Sequence, residues 1–177
     1  QKVRIDGFEV TAIRVSYAGE AGFELHCKMS DVVSVYDSVL ATGEAHQLRP
    51  FGMLALDSMR LEKGYRSWKA DLTSDYTMLE SGLGRWVNFN KEDFVGRAAL
   101  QSESQAGIDR EFVTLVLEDP EDDGPFGEAV YLSSVVIDDA DAGLIVSSGY
   151  GHRVGASIAM AVVDRKPLKC GSEISVH

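Results

Sequence analysis

One short stretch of the sequence, residues 16–25, combines two glycines with side chains that could bind a ligand. Tyr17 and Glu24 flank the glycines. Glu24 lies between two apolar residues in an alternating segment, so burial of one strand face would leave its carboxylate lining a cavity or solvent. A carboxylate there has two acceptor oxygens and can pair with adjacent N–H donors on a planar heterocycle, as the amidine-like edge of a pterin offers. The alternative is that Glu20 and Glu24 are surface charges.

A second cluster, residues 55–68, combines charged and aromatic side chains around the end of a predicted helix. Arg60 and Glu62 are two residues apart and diverge on a helix, so each needs another partner. We expect them to form buried ion pairs that hold the helix to the sheet. Tyr65 and Trp68 follow the helix and could form an aromatic wall for a flat ligand.

Signatures of several other site types are missing from the sequence. No nucleophile elbow or phosphate-binding loop occurs, and the glycines of residues 149–155 have the wrong spacing for a dinucleotide site. The four histidines are scattered, and Cys27 and Cys170 stand alone. We therefore predict no metal site and two free thiols.

Composition narrows the classes of partner. The chain has 177 residues, of which 45% are hydrophobic and 25% charged, as is typical of a globular protein. Its 28 acidic and 17 basic residues give a net charge of −11. This charge argues against non-specific binding to nucleic acid or anionic membranes, although an anionic ligand could still bind in a local pocket. No apolar run approaches the ~20 residues of a membrane span.

The predicted elements that position these residues change character along the chain. Turn residues and alternating hydrophobicity predict an antiparallel meander over residues 1–28. Helical periodicity and caps predict three helices: one following residue 31, one over 52–63 and one over 94–103. A strand is predicted over 86–89 and a linker at 104–110. The second helix should be largely buried, and Asp93 should cap the third. Short strands at 112–117, 129–132, 135–137, 144–146, 158–163 and 173–176 then predict a small barrel.

Four stretches together resemble the folate-binding aminomethyltransferase family, whose reference member is the T protein of the glycine cleavage system. They are residues 16–24 (SYAGEAGFE), 56–65 (LDSMRLEKGY), 93–100 (DFVGRAAL) and 147–161 (SSGYGHRVGASIAMA). Residues 60–68 and 149–155 are most similar to the C-terminal folate module of dimethylglycine and sarcosine dehydrogenases. T proteins usually have an arginine where this chain has Leu56, which sets it apart from the enzymes of glycine cleavage proper.

The resemblance implies folate-dependent one-carbon transfer to tetrahydrofolate from an amine-borne donor. It implies that Tyr17 borders the folate and that Glu24 pairs with the pterin ring. Tyr65 and Trp68, which could form an aromatic wall, are predicted as further cofactor contacts. The family's catalytic aspartate would lie upstream of Gln1, so the chain itself holds no catalytic residue, and a flavin would belong only to an upstream domain. The alternative is a folate-binding scaffold of the same superfamily that serves iron–sulfur assembly or RNA modification without aminomethyl transfer.

The resemblance also implies an α+β fold in two parts. Residues 1–104 would form the second half of the folate-binding domain, and residues 108–177 a small antiparallel β-barrel. Both chain ends fall in predicted strands without an initiator methionine, so we expect a piece of a longer protein. The family implies the bacterial cytoplasm or the mitochondrial matrix, and either self-association or a partner subunit.

We expect the 177-residue chain alone to bind tetrahydrofolate weakly or not at all, because the resemblance places part of the site upstream of Gln1. Isothermal titration calorimetry measures this affinity, and a micromolar dissociation constant would contradict the expectation.

An uncovered half-core should also cause self-association, which light scattering would detect. A monomer at all concentrations would argue against that second expectation.

Overall fold

The structure, a computed structural model, describes residues 1–118, 131–165 and 174–176. The chain divides into two compact units, Gln1–Lys63 and Gly64–His177. Helices and antiparallel sheets occur together, so the predicted α+β class is confirmed.

The first unit contains a three-stranded antiparallel sheet. Its strands are β1 (Lys2–Ile5), β2 (Phe8–Ile13) and β3 (Glu24–His26), hydrogen-bonded in that order. Asp6 and Gly7 form the turn between the first two strands, with φ angles of 48° and 84°. Two consecutive left-handed residues match the twist of a tight hairpin, and Asp-Gly tolerates them. The predicted N-terminal meander is confirmed.

The helix α1 (Val32–Gly43) follows the sheet, with 3₁₀ helices Met29–Asp31 and Glu44–His46 on either side. It starts where the sequence predicted. The Ser38 hydroxyl donates a hydrogen bond of 3.0 Å to the carboxylate of Asp6 in the β1–β2 turn. This contact ties the helix to the hairpin.

The helix α2 (Met53–Glu62) has the predicted bounds to within one residue, but the prediction that it is largely buried is wrong. Met53 and Leu54 in its first turn are 75% and 90% exposed, whereas Arg60 and Leu61 in its last turn are buried. A sequence pattern shows which side chains are apolar, but burial also needs a covering element. The described residues cover only the end of this helix.

The predicted strand over residues 86–89 is wrong. A 3₁₀ helix, Gly84–Trp86, occupies its start. The N–H groups of Trp86 and Val87 donate to carbonyls three residues earlier, at 2.9 and 3.0 Å. Because these backbone groups bond locally, they are not available to a strand ladder.

The helix α3 (Arg97–Ala106) begins three residues later than predicted, and Asp93 does not cap it. Gly96 takes the N-cap position with a φ of 87°. A left-handed residue interrupts the right-handed helical path, so the helix can begin only after it. At its other end the helix extends into the predicted linker, and residues 107–109 lead to the next strand.

The second unit is organised on a five-stranded antiparallel sheet in the order β4-β7-β6-β5-β8. The strands are β4 (Arg110–Leu117), β5 (Ser134–Ile137), β6 (Ala140–Gly151), β7 (Ala156–Asp164) and β8 (Ser175–Val176). Five of the predicted strands are confirmed in their described parts. The sixth, at 129–132, is wrong for its described part, since Tyr131 and Leu132 lie in a turn and Leu132 has a φ of 68°. Residues 129, 130 and 173 lie outside the described residues.

One face of this sheet forms the core of the second unit. Five side chains on β5, β6 and β7 are fully buried there: Val135, Ile145, Ala159, Ala161 and Val163. Small alanines on β7 opposite larger branched residues allow close packing at the density of a protein interior. This core fixes the strands that carry the polar contacts described below.

A β-bulge interrupts the pairing of β6 with β7. Ile145 pairs with Ala161, and Ser147 pairs with Met160, so Val146 is an extra residue. Directly paired residues share a sheet face, and successive residues alternate between faces. Ile145 and Ser147 therefore point to opposite faces, whereas in a regular strand they would share one.

An ion pair between the partly exposed Arg110 and the buried Glu80 connects the irregular segment before α3 to β4. Arg110 donates from Nε and Nη2 to the two carboxylate oxygens of Glu80, at 2.9 and 3.2 Å. The Arg110 Nη2 also donates to the carbonyl of Asp75 at 2.9 Å. The N–H of Phe112 donates to the Glu80 carbonyl at 3.0 Å. Side-chain and backbone bonds thus fasten Glu80 to the strand.

These bonds shift the pKa of Glu80. Burial alone would raise it, but hydrogen bonds from Arg110 and Thr77 outweigh burial, so the pKa lies below its usual value. The pKa of Tyr76, whose ring lies 5.0 Å from the Arg110 guanidinium, is raised mainly by burial. The carboxylate of Glu80 is thus stabilised in its charged form.

We predict that Glu80→Gln lowers the free energy of unfolding by about 1–3 kcal/mol at pH 7, because it weakens charge-assisted hydrogen bonds. Since the folded-state pKa is lowered, the contribution of Glu80 is complete above the unfolded-state pKa of about 4.3. It is lost as pH falls through the folded-state pKa. Urea unfolding at a series of pH values should show the difference between wild type and variant narrowing on the acid side.

Glu111→Gln on β4 is the matched control. Glu111 lies 3.7 Å from Arg165, and both side chains are about half exposed. The same chemical change should therefore alter stability by less than about 0.5 kcal/mol. A stability loss for Glu80→Gln that stayed constant down to pH 2 would contradict the assigned pKa shift.

Candidate functional site

The connection between β2 and β3, residues 14–23, forms what we call the glycine corner. Gly19 has a φ of 73°, and a Cβ there would overlap the side chain of Lys63. At Gly22 a Cβ would lie 3.2 Å from the Cβ of Ser16. Backbone conformation and close approach both require glycine at position 19. Because Gly19 has no side chain, the side chain of Lys63 can approach its backbone closely.

Glu24 is the first residue of β3 and pairs with Ile13 of β2. Its side chain is 62% exposed, and its Oε2 lies 3.0 Å from Nε2 of His26. Phe23 and Leu25 are also exposed, at 64% and 41%. The strand therefore presents its carboxylate on an open face, without burial of its other face among the described residues.

His26 is a contact of Glu24 that the sequence analysis missed. Residues two apart in a strand share a face, so the Glu-x-His spacing was the signal that could have revealed it. A carboxylate has about four acceptor positions. The contact with His26 holds the side chain of Glu24 and leaves acceptor capacity for a ligand.

Tyr17 lies within the glycine corner and is 39% exposed. It belongs to the same unit as Glu24, at the other end of the turn that connects β2 to β3. The turn is held closed by the pairing of β2 with β3. The structure thus places Tyr17 in the connection that leads into β3, whose first residue is Glu24.

Arg60 is 3% exposed and donates from Nε to Asp57 Oδ1 at 2.7 Å. The side chain of Asp57 is 50% exposed and lies one turn earlier on α2, so this pair is not the buried link to the sheet that was predicted. Three-residue spacing brings the two side chains together on one helix face. This pair stabilises the helix end before Tyr65.

Tyr65 and Trp68 lie in the second unit, on a segment from residue 65 to residue 72 that we call the aromatic turn. Tyr65 is half-buried, and Trp68 is 75% exposed. The Ser67 carbonyl accepts from the N–H groups of Asp71 and Leu72, at 3.0 and 3.1 Å. These bonds close a backbone turn that contains Trp68.

Asp71, which the sequence analysis missed, belongs to this turn and is fully buried. Its Oδ2 accepts from the N–H of Ser67 at 2.6 Å, and its Oδ1 accepts from the hydroxyl of Ser147. The two side chains are 76 residues apart in the sequence. No local pattern could have predicted such a pair.

Arg66 lies in the same segment, and its guanidinium is 4.3 Å from the centre of the Phe112 ring. Burial is the main cause that lowers its pKa; Asp71 acts in the opposite direction and Arg85 in the same direction. An arginine remains charged after such a shift. Arg66 is therefore a cation that packs the aromatic turn against β4.

The described parts of the chain offer neither a metal site nor a membrane-spanning helix. There, no group of three or more histidine, cysteine, aspartate or glutamate side chains could hold a metal ion. Nor does any helix in those parts have the length and apolarity needed to cross a membrane. The glycine corner and the aromatic turn remain the candidate ligand contacts.

Family models match both parts of the sequence. The GCVT N-terminal domain matches residues 1–91, and the glycine cleavage T-protein C-terminal barrel domain matches residues 110–177. The chain belongs to the glycine cleavage T-protein family. The resemblance stated from sequence motifs is confirmed, as is the C-terminal barrel.

Relatives within the family include enzymes of two kinds. Human mitochondrial dimethylglycine dehydrogenase is 32% identical over 178 residues, which is 100% of this chain and 20% of that protein. Mouse mitochondrial sarcosine dehydrogenase is 36% identical over 92% of this chain and 17% of its own length. The aminomethyltransferase of Caldanaerobacter subterraneus is 29% identical over 99% of this chain and 45% of its own length. The chain thus spans less than half of each of these relatives.

A solved structure gives the same result for the fold. The glycine cleavage system aminomethyltransferase T from Bartonella henselae superposes with a TM-score of 0.83 at 23% identity. The match covers 97% of this chain and 46% of that one. The family fold extends over nearly all of this chain.

We predict that Gly19→Ala, in the glycine corner, lowers the free energy of unfolding by about 2–4 kcal/mol. About 1–2 kcal/mol arises from placing a Cβ at a left-handed φ, and the rest from overlap with Lys63. Urea unfolding of the variant measures the total.

Gly7→Ala separates the two causes. Gly7 has a φ of 84°, but a Cβ there would meet no heavy atom of the described residues within 4 Å. This control should lose only the backbone portion, about 1–2 kcal/mol. Equal losses for the two variants would show that the approach of Lys63 contributes nothing.

Proposed function

We propose that the chain supplies folate contacts to a protein that transfers a one-carbon unit from an amine to tetrahydrofolate. Family membership and similarity to aminomethyltransferases and to dimethylglycine and sarcosine dehydrogenases support this function. The structural observation that carries it is the exposed carboxylate of Glu24 beside the glycine corner. Such a group fits a ligand edge that presents paired N–H donors.

Glu24 would anchor the pterin ring of the folate. Its backbone is fixed by pairing with β2, and its side chain is held by His26. An ionised carboxylate accepts hydrogen bonds that are roughly twice as strong as those between neutral groups. Both constraints would set the orientation of the ring before the donor arrives.

Tyr17 would border the same ring, since its side chain is partly exposed at the start of the turn that leads to Glu24. Aromatic side chains offer a flat apolar surface against which a heterocycle can stack. Tyr65 and Trp68 are proposed as further aromatic contacts of folate, and the 75% exposure of Trp68 leaves its indole accessible.

The work of these residues is positioning and not proton transfer. Holding two reactants in a productive geometry can supply much of a rate enhancement. Tetrahydrofolate, when bound, supplies the nitrogen nucleophiles that accept the one-carbon unit. We propose that the proton-transfer group is an aspartate outside residues 1–177, and that a flavin would belong to a further domain.

The domain boundaries of the chain are also a proposal. Residues 1–104 would contribute to the folate-binding domain and residues 108–177 would form the barrel, a division compatible with the two family matches. The mammalian dehydrogenase relatives are mitochondrial. For this chain we propose the mitochondrial matrix or the bacterial cytoplasm.

We predict that Glu24→Gln weakens tetrahydrofolate binding by about 10- to 100-fold, the equivalent of losing a charged hydrogen-bond acceptor worth roughly 1.5–3 kcal/mol. The measurement is calorimetric titration of the natural gene product that contains this chain. The variant keeps the size of the side chain, so a change in affinity reports the charge.

Glu9→Gln is the matched control, because Glu9 lies on β2 of the same sheet and pairs with Lys2 at 3.2 Å on an exposed surface. It loses the same charge and should leave the affinity unchanged. If Glu24→Gln bound tetrahydrofolate as tightly as wild type and in the same orientation, the anchor assignment would be wrong.

A further inference from the structure

The aromatic turn presents an indole on a backbone that is locally strained. Lys69, the residue after Trp68, has a φ of 69°, a region that residues other than glycine rarely adopt. Its N–H donates to the carbonyl of Leu72 at 3.1 Å. Such a conformation persists only when the surroundings determine it. Something must therefore hold the turn in place.

Besides the backbone hydrogen bonds of the turn, the side chain of Asp71 holds it. One carboxylate oxygen accepts from the Ser67 N–H within the turn, and the other accepts from the Ser147 hydroxyl on β6. Because Asp71 is fully buried, these hydrogen bonds are needed to offset the cost of removing its carboxylate from water. One carboxylate thus links the turn to the sheet.

Ser147 reaches Asp71 because of the bulge in β6. The extra residue Val146 turns Ser147 away from the face of Ile145, which belongs to the apolar core. In a regular strand the hydroxyl would point into that core. Bulges commonly redirect a side chain in this way and often lie beside functional sites.

We propose that Asp71 and Ser147 are positioning residues that fix Trp68, so that its exposed indole offers a preformed stacking face to a planar heterocycle. This inference rests on the proposed function, in which that heterocycle is the pterin of tetrahydrofolate. Preorganisation raises affinity because a backbone segment that is already ordered loses less entropy on binding. The two residues act through Trp68 and need not touch the ligand.

The test uses the natural gene product that contains this chain, labelled with 5-fluorotryptophan. A Trp68→Phe variant assigns the fluorine resonance of Trp68. Asp71→Asn and Ser147→Ala should shift or broaden that resonance and weaken tetrahydrofolate binding by about 3- to 10-fold. Ser147→Thr keeps the hydroxyl donor and should restore both properties.

Glu80→Gln is the matched control for a general loss of stability. Glu80 is also a buried carboxylate of the second unit, but its side chain bonds Arg110 and Thr77 rather than the aromatic turn. It should leave the Trp68 resonance and the affinity unchanged. An equal response to Glu80→Gln, or an unchanged resonance in Asp71→Asn and Ser147→Ala, would overturn the positioning role.

The two proposals fail in different ways. If wild-type protein does not bind tetrahydrofolate, the proposed function is wrong, while a Trp68 resonance that responds to both variants still supports its positioning by Asp71. If Asp71→Asn does not fold, Ser147→Ala decides the question, because it removes one hydroxyl and leaves the carboxylate bonded to Ser67.

Discussion

The ladder between β6 and β7 is the interaction on which the rest of the second unit depends. It places Ile145 and Ala161 in the apolar core and directs Ser147 out of that core. On the other side of β7, β4 carries Arg110. Residues 64–86 contain little regular structure, so their order depends on hydrogen bonds to these strands. The apolar core of the sheet thus keeps residues 64–86 ordered, although those residues do not belong to it.

Two buried carboxylates transmit that rigidity. Glu80 bonds to β4 through Arg110, and Asp71 bonds to β6 through Ser147. An apolar contact would tolerate sliding, whereas a buried carboxylate with two engaged oxygens permits only a narrow range of positions. Glu80 thus fixes the end of the segment that lies against β4. Asp71 separately fixes the aromatic turn that carries Trp68.

The sequence predicted features whose causes are local. The Asp-Gly hairpin, the bounds of α2 and the glycine corner follow from turn residues and periodicity. The strand at 86–89 and the cap of α3 were wrong because local bonds and the left-handed Gly96 decided otherwise. Glu24 was predicted as a strand carboxylate; its contact with His26 follows from the two-residue spacing only once the strand is known. The pairing of Asp71 with Ser147 lay beyond prediction, since it joins residues far apart in the chain.

The bulge at Val146 also changes how the strand β6 should be compared between family members. Before it, odd-numbered positions such as Ile145 face the core, and beyond it the phase reverses. A relative that lacks the residue equivalent to Val146 would have a regular strand here. In an alignment with a gap at Val146, each of its residues would face the same side of the sheet as its counterpart in this chain. An alignment that closed the gap anywhere else would assign the intervening side chains to the wrong surface. Counting residues through this strand is therefore as informative as comparing their identities.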